Sequence, residues 1–262
     1  MARGALTPGL DADTALESLG EGRWRGEISE RWWIERGPYG GYVSALLTRA
    51  LIAVVDDPAR APRSLTVHFL AAPAPGPVEV AATVERSGRS QTSVSLRMEQ
   101  DGAPMALALA SAAVWRDGEP EWQELTRPDV SAPEDCAPLG GPPLPPFTEN
   151  FDIRWAGGVP GVARNVTWVR PRPAMPLDHL AVTALSDTMI PAAFSRLGRL
   201  AIVPTLDLTI HFRAPLPAAG EWVLAAYRSG RSAGGAWEED GELWSRDGVL
   251  LAQSRQLALM RE

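Results

Sequence analysis

The chain has 262 residues, of which 45% are hydrophobic and 22% charged, as is typical of a globular protein with one large or two smaller domains. Its net charge of −7 argues against nucleic acid and anionic membrane surfaces as main partners. We find no signal peptide and no apolar run long enough to span a membrane, so a cytoplasmic location is expected. The single Cys136 excludes an internal disulfide.

The first part of the chain combines one apolar helix with a run of strands. Residues 1–22 are predicted to be a loose polar lead-in, and residues 24–35 to form one or two strands. A Gly- and Pro-rich turn then leads into a helix over residues 41–55, which is apolar on nearly every side and is therefore expected to be buried. Pro-Gly, Ser-Gly and Asp-Gly turns separate four further strands, at 64–70, 77–87, 91–100 and 104–115.

The order of elements recurs after a change in composition. Residues 117–149 are dense in Pro, and their Gly140–Pro146 segment is predicted to lie outside helices and sheets. A helix is predicted within residues 177–197, where Pro191 either interrupts or begins it. The strands predicted around this helix are 151–155, 165–169, 205–213, 221–229, 233–246 and 249–260.

Short sequence repeats indicate that the chain is a duplicated unit. The tripeptide Val67-His68-Phe69 recurs as Ile210-His211-Phe212, and each occurrence lies in an alternating apolar and polar stretch that ends at a Pro. A Ser-Gly-Arg-Ser segment and an Asp-Gly pair recur in the same order, at 87–90 and 229–232 and at 101–102 and 247–248. We therefore predict two fused repeats.

The predicted fold class is α+β. Each repeat is an antiparallel sheet wrapped around one central helix, which is the hotdog fold, and the fused pair is a double hotdog. The predicted boundaries are 1–116 for the N-terminal repeat, 117–149 for the linker and 150–262 for the C-terminal repeat.

These motifs together resemble the acyl-CoA thioesterase II group of the thioesterase-like superfamily. The likeness covers nearly the whole chain except the linker. It is carried by Gly40-Gly41, Ser64–Phe69, Ser186-Asp187, Thr205-Leu206-Asp207 and the closing segment Asp247–Gln256 with Met260-Arg261. The resemblance implies an acyl-CoA thioesterase of lipid metabolism. It also implies three working residues, an Asp on the second helix, a Thr at a strand start and a Gln on the last strand, which by position are Asp187, Thr205 and Gln256.

Each of these residues also has a structural interpretation. Asp187 is a good helix-capping type, Thr205 suits the start of a strand, and Gln256 suits a surface position on an edge strand. The repeat gives a further test, because the counterparts of Thr205 and Gln256 are Pro62 and Ala110. The counterpart of Asp187 falls near residues 40–44, where the sequence has no carboxylate. We therefore expect one active site, in the second half.

The chemistry expected of these side chains is activation of a water molecule. A buried carboxylate can accept the proton of that water, and Thr and Gln side chains can orient it. The corner formed by Gly40, Gly41 and Tyr42 is a candidate oxyanion and substrate site, with a tight turn as the alternative. No nucleophile motif or metal-ligand cluster is evident, and no cofactor is expected, since coenzyme A is part of the substrate.

Two other functions remain open at this stage. A hydratase or dehydratase of the same fold would pair a carboxylate with a His, and His179 lies eight residues before Asp187. A non-catalytic acyl-CoA or lipid binder would retain the three residues without using them. His68 and His211 occupy equivalent positions in the two halves, which favours a structural role for both. Because a fused pair is self-sufficient, further association into a homo-oligomer is possible but not required.

Overall fold

The computed structural model describes residues 9–116, 118, 120–141, 144–188, 190–199, 203–215 and 222–260. The first half contains α1 (Leu10–Asp13), α2 (Gly40–Val55), β1 (Glu17–Gly20), β2 (Arg23–Ile28), β3 (Arg60–Phe69), β4 (Gly76–Ser87), β5 (Gln91–Gln100) and β6 (Ala103–Val114). The second half contains β7 (Ala137–Pro138), β8 (Phe151–Gly158), β9 (Arg164–Pro171), α3 (His179–Leu185), α4 (Ala192–Leu197), β10 (Thr205–Phe212), β11 (Val223–Arg228), β12 (Ser232–Ala233), β13 (Ala236–Trp244) and β14 (Leu250–Leu259).

The described strands form one continuous antiparallel sheet. Its order is β1-β2-β4-β5-β6-β3-β10-β14-β13-β11-β9-β8-β7, with β12 paired to β13. Helix α2 packs against β3, β4 and β5 of its own half and against α3 of the other half. One hydrophobic core runs through both halves, and it contains most of α2 and α3. This is the predicted double hotdog, so the fold prediction is confirmed. No helix in the described ranges is long and apolar enough to cross a membrane.

The repeated segments meet at the centre of the sheet. β3 and β10 pair antiparallel, with Leu65 opposite Ile210 and Thr66 opposite Thr209. The hydroxyls of Thr66 and Thr209 are 3.0 Å apart and hydrogen-bonded. Since these two residues are also equivalent positions of the sequence repeat, the local twofold axis that relates the halves passes between them.

The predicted lead-in is partly wrong. Residues 1–8 lie outside the described residues, but α1 and β1 follow them, and Leu10 is buried in the core. The hairpin between β1 and β2 is closed by Gly20, Glu21 and Gly22, all of which have positive φ angles. The two glycines adopt this conformation at little cost, and it suits a tight hairpin turn.

The second predicted helix is divided. α3 ends at Leu185, and α4 begins after Pro191, whose missing N–H is no loss at a helix start. Pro191 also disfavours helical conformation at the residue before it. The hydroxyl of Ser186 donates to the Val182 carbonyl at 2.8 Å, which occupies an acceptor of the last turn. Asp187 therefore lies just after α3 rather than on a helix.

The linker is more ordered than its composition indicates. It contributes the short strand β7 and two 3-10 helices, Pro133–Asp135 and Pro146–Asn150. These elements tolerate Pro for two reasons. β7 is at the edge of the sheet, and in each 3-10 helix the Pro is in the first turn. The Phe147 ring stacks on Tyr39 at 4.5 Å between centroids, which fixes the end of the linker against the start of α2.

Candidate active site

Asp187 joins the two halves of the molecule. Its Oδ2 accepts a hydrogen bond from the backbone N–H of Gly41, at 2.9 Å. Gly41 is in the first turn of α2, where N–H groups have no intrahelical acceptor and the helix dipole favours an anion. Asp187 thus caps the helix of the opposite repeat.

Two glycines allow this approach. A Cβ built on Gly40 would be 2.8 Å from Asp187 Oδ2, and a Cβ built on Gly41 would be 2.5 Å from the Tyr39 ring and 2.6 Å from the Ala184 carbonyl oxygen. The Tyr39 hydroxyl donates to the same Ala184 carbonyl, one turn before Asp187. The glycines are therefore required for close packing of the two helix ends.

The environment of Asp187 weakens its acidity. Desolvation by the surrounding protein raises the pKa of this carboxyl from 3.8 to about 7, and the Gly41 N–H opposes the shift. The residue nevertheless keeps part of its surface exposed. A carboxyl with a pKa near neutrality that water can reach has the properties of a general base.

Thr205 and Gln256 are in direct contact on the inner face of the sheet. The Thr205 hydroxyl donates to Gln256 Oε1 at 3.1 Å. A β-bulge between Thr205 and Asp207 in the pairing with β14 sets the register there. Gln256 is only 7% exposed, so it is not on the surface edge that the structural interpretation assumed.

Glu239 is a site residue that the sequence reasoning missed. It lies opposite Gln256 on β13, is 2% exposed, and its Oε1 accepts a hydrogen bond from Gln256 Nε2 at 2.9 Å. The missed signal is alternation along β13, where Trp237, Gly241 and Leu243 also face inward. A carboxylate at an inward position of such a strand requires a partner.

Asp187 lies near this pair but is not bonded to it. The Ser254 hydroxyl, two residues before Gln256 on β14, donates to the carbonyl of Ser186 at 3.3 Å. The charge of Asp187 also contributes to the raised pKa of Glu239. Among the described residues, no direct hydrogen bond joins Asp187 to Thr205 or Gln256, so a water shared by all three stays a prediction.

Tyr42 is placed differently from the two glycines. Its hydroxyl bonds the carbonyls of Asp13 and Glu27 at 2.8 and 2.6 Å, and its ring is fully buried. Its backbone N–H donates to the Tyr39 carbonyl at 3.1 Å. By contrast, no acceptor for the Gly40 N–H lies within the described part of the chain. Of the predicted oxyanion corner, Gly40 is the residue with a donor to offer.

Comparison with models of known protein families identifies the family of this chain. A family model described as "Acyl-CoA thioesterase N-terminal domain" matches residues 28–115, and one described as "Acyl-CoA thioesterase C-terminal domain" matches residues 133–260. The chain belongs to the acyl-CoA thioesterase family.

Individual relatives of this thioesterase-like chain cover nearly its whole length. An uncharacterized protein of Mycobacterium tuberculosis is 28% identical in an alignment of 275 positions that covers 90% of each sequence. A conserved hotdog-fold protein of unknown function from Alicyclobacillus acidocaldarius has a TM-score of 0.89 and 29% identity, covering 98% of this chain and 99% of that one. An acyl-CoA thioesterase II, TesB2, from Mycobacterium marinum has a TM-score of 0.80 and 23% identity, covering 97% and 98%, and supports the fold alone.

The first repeat of this acyl-CoA thioesterase-like chain lacks the polar residues of the second. Ala110 lies opposite Leu65 as Gln256 lies opposite Leu208, and Pro62 adjoins a β-bulge as Thr205 does. These registers agree with the sequence alignment of the repeats.

The offset of 143 residues that relates Thr66 to Thr209 places the counterpart of Asp187 at Ser44, within the expected range of residues 40–44. Ser44 lies on α2 and is buried. The first repeat therefore has no carboxylate at this position.

The histidines lie away from this group. His179 begins α3, whereas Asp187 follows the other end of that helix, and the His179 ring packs edge-on against Phe212. His68 and His211 are exposed on the outer face of the sheet.

Two surface depressions are found elsewhere in the thioesterase-like fold. One of about 650 Å³ lies along β8 and the linker, and one of about 970 Å³ lies beside α1 and β2. Neither is lined by Asp187, Thr205 or Gln256. The predicted acyl pocket beside Gly40 stays a prediction.

Proposed function

We propose that this protein is an acyl-CoA thioesterase that hydrolyses an acyl-CoA thioester to a free acid and coenzyme A by means of a water activated by Asp187. The observation that carries the proposal is the Asp187 carboxyl at the junction of the two halves. It is held by the Gly41 N–H and has a pKa raised to about 7 by burial, and the carbonyl of the preceding Ser186 accepts from Ser254, two residues before Gln256.

The proposed reaction uses these groups in one displacement. Asp187 takes a proton from water, and the water oxygen attacks the thioester carbonyl carbon. The Gly40 N–H, which has no acceptor within the described residues, donates to the oxygen that gains charge. The carbon–sulfur bond then breaks, and the sulfur leaves with the electron pair of that bond. Asp187 transfers its proton to the leaving sulfur, which gives the free thiol of coenzyme A. Thr205 and Gln256 orient the water before attack.

The two alternatives have less support. A hydratase would need a His close to the carboxylate, and each of the three His residues lies away from Asp187. A binder without activity would need Asp187 only as the cap of α2, and that role does not require a carboxyl whose pKa is raised to about 7.

The test is thioester hydrolysis by the purified full-length chain. We expect release of free thiol from one or more members of a series of saturated acyl-CoAs of increasing chain length, detected with a thiol reagent. Crotonyl-CoA is included in parallel, and loss of its enoyl absorbance without thiol release would identify a hydratase. Saturable acyl-CoA binding without thiol release from any member would establish the binder and overturn the proposal.

A further inference from the structure

Glu239 forms two hydrogen bonds through opposite oxygens. Its Oε1 accepts from Gln256 Nε2 at 2.9 Å, and its Oε2 accepts from the backbone N–H of Ala192 at 2.5 Å. Ala192 is the first residue of α4, so this side chain connects the start of α4 to β14. Both partners are donors, which matches an ionised carboxylate, since that group only accepts.

This contact decides which way the Gln256 amide faces. An amide has a donor end and an acceptor end, and the hydrogen-bond network determines the orientation. With Nε2 committed to Glu239, Gln256 turns its Oε1 to Thr205, whose hydroxyl donates to it at 3.1 Å. That oxygen has a second lone pair, which can accept a hydrogen of the reacting water.

A neutral residue at position 239 would reverse this arrangement. The Ala192 N–H is backbone and cannot turn, so the oxygen bonded to it must remain an acceptor. The other end of a neutral side chain then becomes a donor, and Gln256 must present Oε1 to it. Nε2 would face Thr205, and the site would offer a donor where it now offers an acceptor.

We propose that Glu239 is a positioning residue that holds the Gln256 amide with its oxygen toward Thr205 and the reacting water. This inference rests on the thioesterase activity proposed above and adds a fourth residue to its machinery. Glu239 acts through Gln256 and does not itself touch the substrate. Capping of α4 is a separate, structural role of the same carboxylate.

The groups around Glu239 control its ionisation. The pKa of Glu239 is raised to about 8, mainly by burial. The charges of Asp187 and Asp240 also raise it, whereas the hydrogen bonds from the Ala192 N–H and the Gln256 side chain lower it. Asp240 points to the outer face, where it pairs with Arg228 and Arg255. The buried Tyr227 on β11 also interacts electrostatically with Glu239. Orientation of Gln256 therefore improves as the pH rises through the titration of Glu239.

The first experiment compares Glu239→Gln with wild type on the best acyl-CoA, at a pH above the titration of Glu239, where the wild-type side chain is ionised. The Gln oxygen can still accept from Ala192, so the cap on α4 is kept, but its Nε2 must face Gln256 and turn that amide over. We expect kcat to fall by about tenfold, as for one lost hydrogen bond to the water, with KM unchanged and no decrease in the midpoint of thermal unfolding. The matched control is Glu242→Gln on the outer face of the same strand, which should match wild type.

The second experiment exchanges the two side chains. In the double variant Glu239→Gln, Gln256→Glu, Gln at 239 accepts from Ala192 and donates to Glu at 256, and the Thr205 hydroxyl again meets an acceptor. Measured at the plateau of its pH profile, this variant should recover most of the kcat that Glu239→Gln loses. The pH profile of Glu239→Gln should also lack the upper ionisation.

These results separate the two proposals. If wild type releases no thiol from any acyl-CoA, the thioesterase proposal fails, and this inference fails with it. If wild type is active but Glu239→Gln matches it, only the role of Glu239 is wrong. A Glu239→Gln defect that the exchange does not repair would also overturn the orientation argument.

Discussion

The N–H of Gly41 and the carboxylate of Asp187 are 2.9 Å apart, although 145 residues separate them in the chain and they belong to different repeats. The first repeat supplies only main chain at this contact, and the second supplies the reactive side chain. The proposed site therefore exists only where the N-terminus of α2 meets the end of α3, and the predictions below test that junction.

Replacing Asp187 by Asn should abolish the base and keep the contact. The Asn oxygen can still accept from Gly41, so the fold and acyl-CoA binding should be kept. We expect kcat to fall by about 10²- to 10⁴-fold, the usual contribution of a general base. Steady-state kinetics with thermal unfolding measures both effects. Asp101→Asn, in an exposed hairpin turn of the first half, is the control. Wild-type turnover in Asp187→Asn would refute the mechanism.

The pH dependence of activity should follow the Asp187 carboxyl. Its pKa is raised to about 7 by burial, and only the ionised form accepts a proton. We expect kcat to rise with pH up to about this value and then to flatten, apart from the upper step assigned to Glu239. In Asp187→Asn the residual rate should lose the lower step. A step near pH 7 that persists in the variant would mean that another group is titrating.

The raised pKa of Asp187 should make stability fall as pH rises, whereas kcat rises with pH. Because the folded state holds the Asp187 proton to higher pH than the unfolded chain does, the free energy of unfolding falls as pH rises from about 4 to about 7. Denaturant unfolding of wild type and Asp187→Asn should show this contribution in wild type alone. The variant should therefore gain stability relative to wild type between pH 4 and pH 8. Parallel curves would contradict the assigned pKa.

The two glycines at the start of α2 should respond differently to Ala. A Cβ on Gly41 would meet backbone, the Ala184 oxygen at 2.6 Å, so Gly41→Ala should lower the free energy of unfolding by about 1–3 kcal/mol. A Cβ on Gly40 would meet the Asp187 carboxylate at 2.8 Å and the Phe69 ring at 3.3 Å, which are side chains that can move. Gly40→Ala should therefore reduce kcat more than stability. Thermal unfolding and steady-state kinetics of both variants measure these effects. If the corner were only a turn, Gly40→Ala and Gly41→Ala would have the same effect on stability and on kcat.

Thr205 and Gln256 should also differ from each other. Thr205→Val removes one partly buried hydroxyl and should cost less than about 1 kcal/mol of stability. Gln256→Leu leaves Oε1 of the buried Glu239 without a donor, while Oε2 keeps its bond from the Ala192 N–H, and this should cost about 1–3 kcal/mol. Each should reduce kcat by less than Asp187→Asn does, since each only orients the water. A larger loss in the free energy of unfolding for Thr205→Val than for Gln256→Leu, measured by denaturant unfolding, would contradict the hydrogen-bond network described here.

The parts of the site that could be predicted from the sequence are those encoded by patterns within one short segment. The alternation over residues 205–213 and the repeat at Thr66 and Thr209 are local patterns, and they led to the correct strands and to the duplication. The end of α3 at Leu185 depends on the Ser186 back-bond and on Pro191 together, and neither alone locates it. The alternation along β13 indicates that Glu239 faces inward, but its partner Gln256 lies on another strand and is identified only by the pairing of β13 with β14.

The single sheet described above has a consequence for how the molecule meets its neighbours. Joining β3 to β10 removes the two strand edges at which separate halves would expose unpaired N–H and C=O groups. The sheet ends instead in β1, with four residues, and in β7, with two, one of which is Pro138 and has no N–H to donate. Such short terminal strands are poor templates for a strand from another chain, so fusion of the repeats also protects the protein against edge-to-edge aggregation.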